Sequence, residues 1–226
     1  MLRALRDIVF PPTCMGCKLP LLEAEDIVCT RCRMNLPMAL LHENKDLLLA
    51  DMLYGRVPIE LSTTLFYYGK GGIVQALIHE LKYRGQEQIS AFLGRWLGAA
   101  LQEYPAWQEV NIVIPIPVHA RRRRQRGYNQ VHGFAKEVAK ALHAQLDEKS
   151  LVKSIHTSKQ AQRKLTARQD DALNPFQLIN AEAMKNRHVL IVDDVATSGA
   201  TLEKACSLFM DVPGVTISIA TMAIAD

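Results

Sequence analysis

Apolar positions along the chain fall into two kinds of run, which alternate. Ser62 to Tyr68 is dense in Thr and aromatic residues and reads as a strand, closed by a Gly69–Gly72 turn. From there Ile73, Leu77 and Leu81, with Val74 and Ile78 beside them, keep helical spacing as far as Lys82-Tyr83-Arg84-Gly85. A second helix is predicted from Ile89 to Leu101, then a short strand over Val110–Ile116, stopped by Pro115 and Pro117. Val131, Phe134, Ala135, Val138 and Leu142 mark a further helix. Val189 to Val192 is apolar throughout, the pattern of a strand buried on both faces. A helix from Ala200 to Phe209 and a last strand from Thr216 to Ala223 complete the series.

Strands alternating with helices, several of them apolar on both faces, predict an α/β fold with a mainly parallel sheet. Asn35 to Glu60, broken by Pro37 and Pro58, has no clear period. The chain therefore divides into an N-terminal module over 1–60 and an α/β domain over 61–226. Apolar residues make up 49% of the 226 residues, enough for a sizeable core. No apolar run approaches the roughly 20 residues that span a bilayer, so no membrane insertion is expected. Arg3, Arg6 and Asp7 interrupt the apolar start, which is unlike a signal peptide and suggests a cytoplasmic protein.

Cysteine placement adds a metal site. Cys14 and Cys17 form one CxxC and Cys29 and Cys32 another, with eleven residues between the pairs. Two such knuckles supply four thiolates to one tetrahedral Zn²⁺, and a site filled by four cysteines has no open position, so the metal is structural. A disulfide pair and a redox CxxC are the competing readings; the first is disfavoured where thiols are kept reduced. Cys206 sits on the stripe Leu202, Ala205, Phe209 and reads as core.

Charge is uneven. Between His119 and Arg168 stand thirteen Lys or Arg against three Asp or Glu, in a chain whose whole net charge is +4. That asymmetry points to an anionic partner. Arg121, Arg122, Arg123, Arg124 and Arg126 are its densest part, with Tyr128 as a stacking group; single-strand grooves combine such features. A solvated loop without a partner, and a loop that attracts a polyphosphate, are the competing readings of this run.

The most informative stretch is Val189 to Leu202. Asp193 and Asp194 follow the apolar strand, where ligands bind in open α/β sheets. Ala196, Thr197, Ser198, Gly199, Ala200 and Thr201 then form a small, hydroxyl-bearing loop that opens into a helix, a setting for a phosphate monoester. This segment resembles the phosphoribosyl pyrophosphate signature of type I phosphoribosyltransferases. Ile78-His79-Glu80-Leu81-Lys82-Tyr83-Arg84-Gly85, Pro115-Ile116-Pro117-Val118-His119, Arg124-Gln125-Arg126-Gly127-Tyr128-Asn129-Gln130 and the early double CxxC are similar to the competence protein F family. Thr157 to Phe176 is similar to that family's T-x-x-Q…L…R…F pattern, with Asp171 where Asn is commoner.

The resemblance implies a type I phosphoribosyltransferase fold and the following roles. Asp193 and Asp194 hold the ribose hydroxyls, and Ala196 to Thr201 cradle the 5′-phosphate. Lys82, Tyr83, Arg84 and Gly85 match the loop that contacts pyrophosphate, with Lys82 and Arg84 assisting catalysis. Arg121 to Gln130 lie in a mobile closing loop. Mg²⁺ arrives with phosphoribosyl pyrophosphate. The family's role implies handling of single-stranded DNA during natural transformation, with helicase or recombination proteins as further partners. Nucleobase salvage, and a regulatory sensor of phosphoribosyl pyrophosphate without turnover, are the alternative functions.

Overall fold

The structure, a computed structural model, describes residues 11–39, 48–153 and 174–225. Five strands form one sheet: β1 (Ser62–Tyr68), β2 (Ile112–Pro115), β3 (Gln145–Leu146), β6 (His188–Ala196) and β7 (Thr216–Ala225). Their order is β1-β7-β6-β2-β3 and every pairing is parallel. The predicted parallel α/β architecture is what the chain adopts. A separate antiparallel hairpin pairs β4 (Leu151–Lys153) with β5 (Phe176–Leu178). The α-helices among the described residues are α1 (Thr30–Met34), α2 (Leu48–Asp51), α3 (Ile73–Tyr83), α4 (Gln88–Leu101), α5 (Ala120–Arg126), α6 (His132–Ala141) and α7 (Ala200–Cys206).

The central strand shows why both faces must be covered. Val189 to Val192 are all fully buried, and their side chains alternate between two cores. Leu190 and Val192 join a core made with α3, α4 and α6. Val189 and Ile191 join the other, made with α2 and α7, where Cys206 is fully buried as expected. β6 runs on through both aspartates to Ala196, past the apolar run that predicted it.

The chain leaves β2 through α6 towards β3 and leaves β6 through α7 towards β7. These connections diverge to opposite faces and opposite edges, so β2 and β6 flank a topological switch point, the crevice where open α/β sheets bind ligands.

Three segments differ from their sequence expectations. The arginine run is the helix α5, not a loop; His119 Nδ1 accepts from the Arg121 amide, and the helix stops at Gly127. Part of the 35–60 stretch, which has no period, is ordered by tertiary pairing. The Ala39 amide donates to the Leu65 carbonyl at 3.1 Å and the Tyr67 amide to the Pro37 carbonyl at 2.9 Å, laying residues 37–39 antiparallel against β1. Leu49 and Leu53 then plug the second core. The final helix tightens into a 3₁₀ turn over Ser207–Phe209. The Thr157–Phe176 pattern lies mostly outside the described residues.

The cysteine module docks on the first core. Cys14, Ile27, Val28, Cys29, Cys32 and Leu36 pack with Leu65, Val74 and Leu77. A Cβ on Gly16 would stand 2.9 Å from Ile73 Cγ2 and 3.1 Å from Cys32 Sγ, so the first knuckle requires glycine there.

Candidate functional site

At the switch point the end of β6 presents Asp193 and Asp194, 8% and 6% exposed. Asp194 is fully engaged. Lys82 Nζ lies 2.7 Å from its Oδ1. Gln130 Nε2 donates to its Oδ2 at 2.6 Å, and Gln130 Oε1 in turn accepts from Arg126. Asp193 has less support, an amide donated by Asp194 at 2.8 Å. Burial, then the neighbouring Asp194 carboxylate, push the Asp193 carboxyl up to about 8, against the opposing pull of that amide, Lys82 and Lys153. The two acids are thus unlike: one is held by a cation, the other is placed to take up or release a proton near neutrality.

The cleft over them has a volume of about 610 Å³. Lys82, Arg122, Arg126 and Lys153 line it, four cations around two carboxylates. Such a site suits a ligand with hydroxyls for the acids and several anionic oxygens for the cations. Lys153 comes from β4; burial, then Arg122, lower its basicity, and Asp193 opposes them.

The loop after β6 leads into α7. Ala196 and Gly199 are buried, whereas Thr197, Ser198, Ala200 and Thr201 are exposed, and Thr201 reaches the cleft. Gly199 has φ +74°, and a Cβ there would stand 2.9 Å from Met52 Cβ. The segment after α2 therefore closes directly over this loop, and Arg56 pairs with Glu203 of α7.

The structure divides the expected residues. Lys82, Tyr83 and Gly85 border the cleft, while Arg84 caps the end of α3 and faces solvent. The arginine run splits by helical periodicity: Arg122 and Arg126, four apart, face the cleft with Gln125 between them. Arg121, Arg123 and Arg124 are exposed and stand apart from it. Tyr128 is half-buried against the first core, its hydroxyl donating to the Leu81 carbonyl, and burial raises its pKa. It is not an open stacking platform; the exposed aromatic beside the cleft is Tyr83, 70% exposed. Gln130 and Lys153 are cleft residues that sequence reasoning misses. Gln130 closes the RQRGYNQ segment and could have been singled out there; nothing local marks Lys153.

Other hollows are present among the described residues. One, of about 660 Å³, shares Lys82, Tyr83 and Val195 with the cleft and continues to Ile78, His79 and Thr197. Another, of about 510 Å³ beside Glu60 and Thr216, lies at the opposite end of the sheet from the acids.

The four cysteines form a second site. Their sulfurs all lie within 4.8 Å of one another, with Cys17 Sγ 3.7 Å from Cys29 Sγ. The amides of Cys17 and Cys29 donate to Cys14 Sγ at 3.5 and 3.2 Å, and that of Cys32 to Cys29 Sγ at 3.4 Å. Burial opposes a thiolate at Cys14, yet the amides of Cys17, Cys29 and Gly16 outweigh it and bring the thiol down to about 6. At Cys32 burial and the surrounding thiols act together and push it up. Four soft sulfur donors converging with amides aimed at them fit a structural metal such as zinc.

The model of the phosphoribosyl transferase domain matches residues 132–225. Over those residues the parallel α/β core is similar to a phosphoribosyl transferase domain. The DNA utilization protein YhgH of Escherichia coli O157:H7 is 28% identical over 148 residues, 63% of each chain. Competence protein F of Haemophilus influenzae is 28% identical over 137 residues, covering 58% of this chain and 59% of its own. Competence protein ComFC of Bacillus subtilis is 26% identical over 146 residues, 64% and 56%. With its four-cysteine cluster, the chain is similar to these competence and DNA utilization proteins over roughly three fifths of its length. The matches span less than two thirds of the length of these relatives. A crystal structure of a hypoxanthine phosphoribosyltransferase from Staphylococcus aureus aligns over 60% of this chain and 62% of its own, at 17% identity and a TM-score of 0.35. No helix among the described residues is long and apolar enough to cross a membrane.

Proposed function

We propose that this protein binds phosphoribosyl pyrophosphate in the switch-point cleft and single-stranded DNA beside it, and acts in the cytoplasm on DNA taken up during natural transformation. The observation that carries the reading is the pair Asp193 and Asp194 beneath a rim of four cations. In this reading the ribose hydroxyls take the acids, the 5′-phosphate takes the 196–201 loop, and Lys82, Arg122, Arg126 and Lys153 face the pyrophosphate. Residues 1–60 serve as a zinc-bearing module and 61–226 as the phosphoribosyltransferase domain.

In this reading each Asp194 oxygen, already taking one donor from Lys82 or Gln130, keeps a second lone pair for a ribose hydroxyl. Lys82 would swing from the carboxylate towards the incoming pyrophosphate, exchanging one anion for another at little electrostatic cost. If transfer follows, the positive charge developing at ribose C1 lies over the acidic pair, with Asp194 as its charged member, while the cations stabilise the leaving pyrophosphate. Mg²⁺ bound to the donor would add charge neutralisation between ribose and pyrophosphate oxygens. Arg121, Arg123 and Arg124, on the outer side of the same helix, would follow a DNA backbone. Helicase or recombination proteins would be partners in the same process.

The reading is tested by measuring the affinity of a labelled single strand with and without phosphoribosyl pyrophosphate and Mg²⁺. Donor-dependent affinity supports it, because α5 carries residues for both ligands. A strand affinity indifferent to the donor counts against coupling, and no affinity for either ligand ends it. A second reading, a sensor of phosphoribosyl pyrophosphate without turnover, is favoured by the Lys82–Asp194 pair, which an incoming pyrophosphate would compete to open.

A further inference from the structure

The 660 Å³ hollow beside the donor cleft falls in the size range of small-ligand sites, about 300–1,000 Å³, and has the chemistry of a ring-binding pocket. Ile78, Ala76 and Val195 give it apolar surface, and Gln75 and Thr197 give it polar groups. Gln75 Oε1 accepts from the Gly71 amide at 2.6 Å, which fixes the side chain and leaves its NH₂ as a donor for a ligand. Glu80, the carboxylate in the wall, is paired with Lys18 of the cysteine module at 2.7 Å, so it does not repel an anion entering nearby. Tyr83 borders both hollow and cleft, together with Lys82 and Val195, and is 70% exposed. His79 braces it, ring centroids 5.1 Å apart at 47°, and the Arg126 guanidinium lies 6.0 Å from its centroid.

We propose that this hollow receives an unpaired nucleobase of a single strand, stacked on Tyr83. An exposed aromatic ring held in place by a second ring is a platform for any flat base, which is how single-strand grooves gain affinity without reading sequence. Lys82 borders the hollow and Arg126 lies beside the Tyr83 ring, so a strand with its base in the hollow passes its phosphates by cations. A free base would gain nothing from those cations, which is why the strand is the assigned source. The inference rests on the proposed single-strand binding and adds a site that the arginine face alone does not supply.

The test compares a short thymidine oligonucleotide with an abasic strand of equal phosphate count, at one fixed salt concentration. Stacking contributes about 1–3 kcal/mol per base, so the thymidine strand should bind roughly 5- to 150-fold more tightly. Tyr83→Ala should erase that preference and Tyr83→Phe should keep it. Equal affinities for the two strands, or a preference that survives Tyr83→Ala, overturn the inference. Competition by free thymine that depends on Tyr83 overturns the strand as the occupant and assigns the hollow to a free base. Titration of the same preparations with phosphoribosyl pyrophosphate and Mg²⁺ separates the two proposals. Donor binding without base preference ends only this one, and base preference without donor binding ends only the donor reading.

Discussion

Gln130 donates its side-chain amide to Asp194 Oδ2 at 2.6 Å, joining residues 64 positions apart. Because Gln130 Oε1 also accepts from Arg126, the arginine helix and the acidic pair are mechanically one unit. Its backbone is fixed too, with the Gln130 carbonyl accepting from Ser90 Oγ at 2.6 Å. Gln130→Leu keeps the volume but leaves a buried carboxylate oxygen without its donor. A hydrogen bond to a charged group contributes about 1.5–3 kcal/mol. At about 2–4 °C per kcal/mol for a chain of this size, the melting temperature should fall by roughly 3–12 °C, read by calorimetry. Gln130→Glu should lose more at pH 8 than at pH 5, since it sets a second carboxylate against Asp194.

The two sides of α5 should separate by mutation. Changing Arg121, Arg123 and Arg124 together to Gln should weaken single-strand binding and flatten its salt dependence, by about 0.7 in slope for each phosphate that the variant no longer neutralises. Donor affinity should stay within about twofold, because none of the three lines the cleft. Arg122→Gln should do the reverse and weaken donor binding first. A titration series in salt for each ligand distinguishes these outcomes.

Asp193 makes the fold sensitive to pH in a direction unusual for a carboxylate. Its carboxyl is raised to about 8 from 3.8, so the folded state holds a proton that the unfolded state gives up. This contribution to stability is fully present below about pH 4 and is lost as pH rises through about 8. Asp193→Asn removes it. The variant should melt above the parent at pH 8, by at least about 2 °C, with the gap closing towards pH 5.

Metal removal should reach beyond the cysteine module. Arg33, in the helix that follows Cys29, lies over the Trp96 ring at 4.9 Å, and Trp96 packs edge-on to Phe66 of the sheet. A strong chelator should lower the melting temperature and shift Trp96 emission to the red, with Trp96→Phe as the control that removes the signal. An unchanged melt after zinc has been shown to leave would contradict a structural metal.

Much of this is legible in the sequence because burial on both faces leaves an unambiguous mark. Val189–Val192 predicts a central strand, and the acids after it mark the end of the sheet where the cleft opens. Helix α5 is hidden for the opposite reason: none of its residues is buried, so no apolar period exists to be read. The β3 strand is two residues long, and residues 37–39 become extended only by pairing with β1. Lys153 reaches the cleft because the β4–β5 hairpin folds there, a relation no local pattern encodes. Tyr83 and Tyr128 look alike in sequence, yet only one of them is open to solvent. Tyr128 packs against the first core with its hydroxyl on the Leu81 carbonyl, contacts set by its place in the fold and not by its neighbours in sequence.

The acidic pair itself is best probed by calorimetric titration of the full chain with phosphoribosyl pyrophosphate and Mg²⁺, beside the double variant Asp193→Asn, Asp194→Asn. The parent should show saturable one-site binding. The variant should lose at least roughly a hundredfold in affinity, about 2.7 kcal/mol for two acids that each hold a hydroxyl, and should keep its affinity for single-stranded DNA. Equal donor binding by both proteins, or none by either, would contradict a phosphoribosyl site at the end of β6.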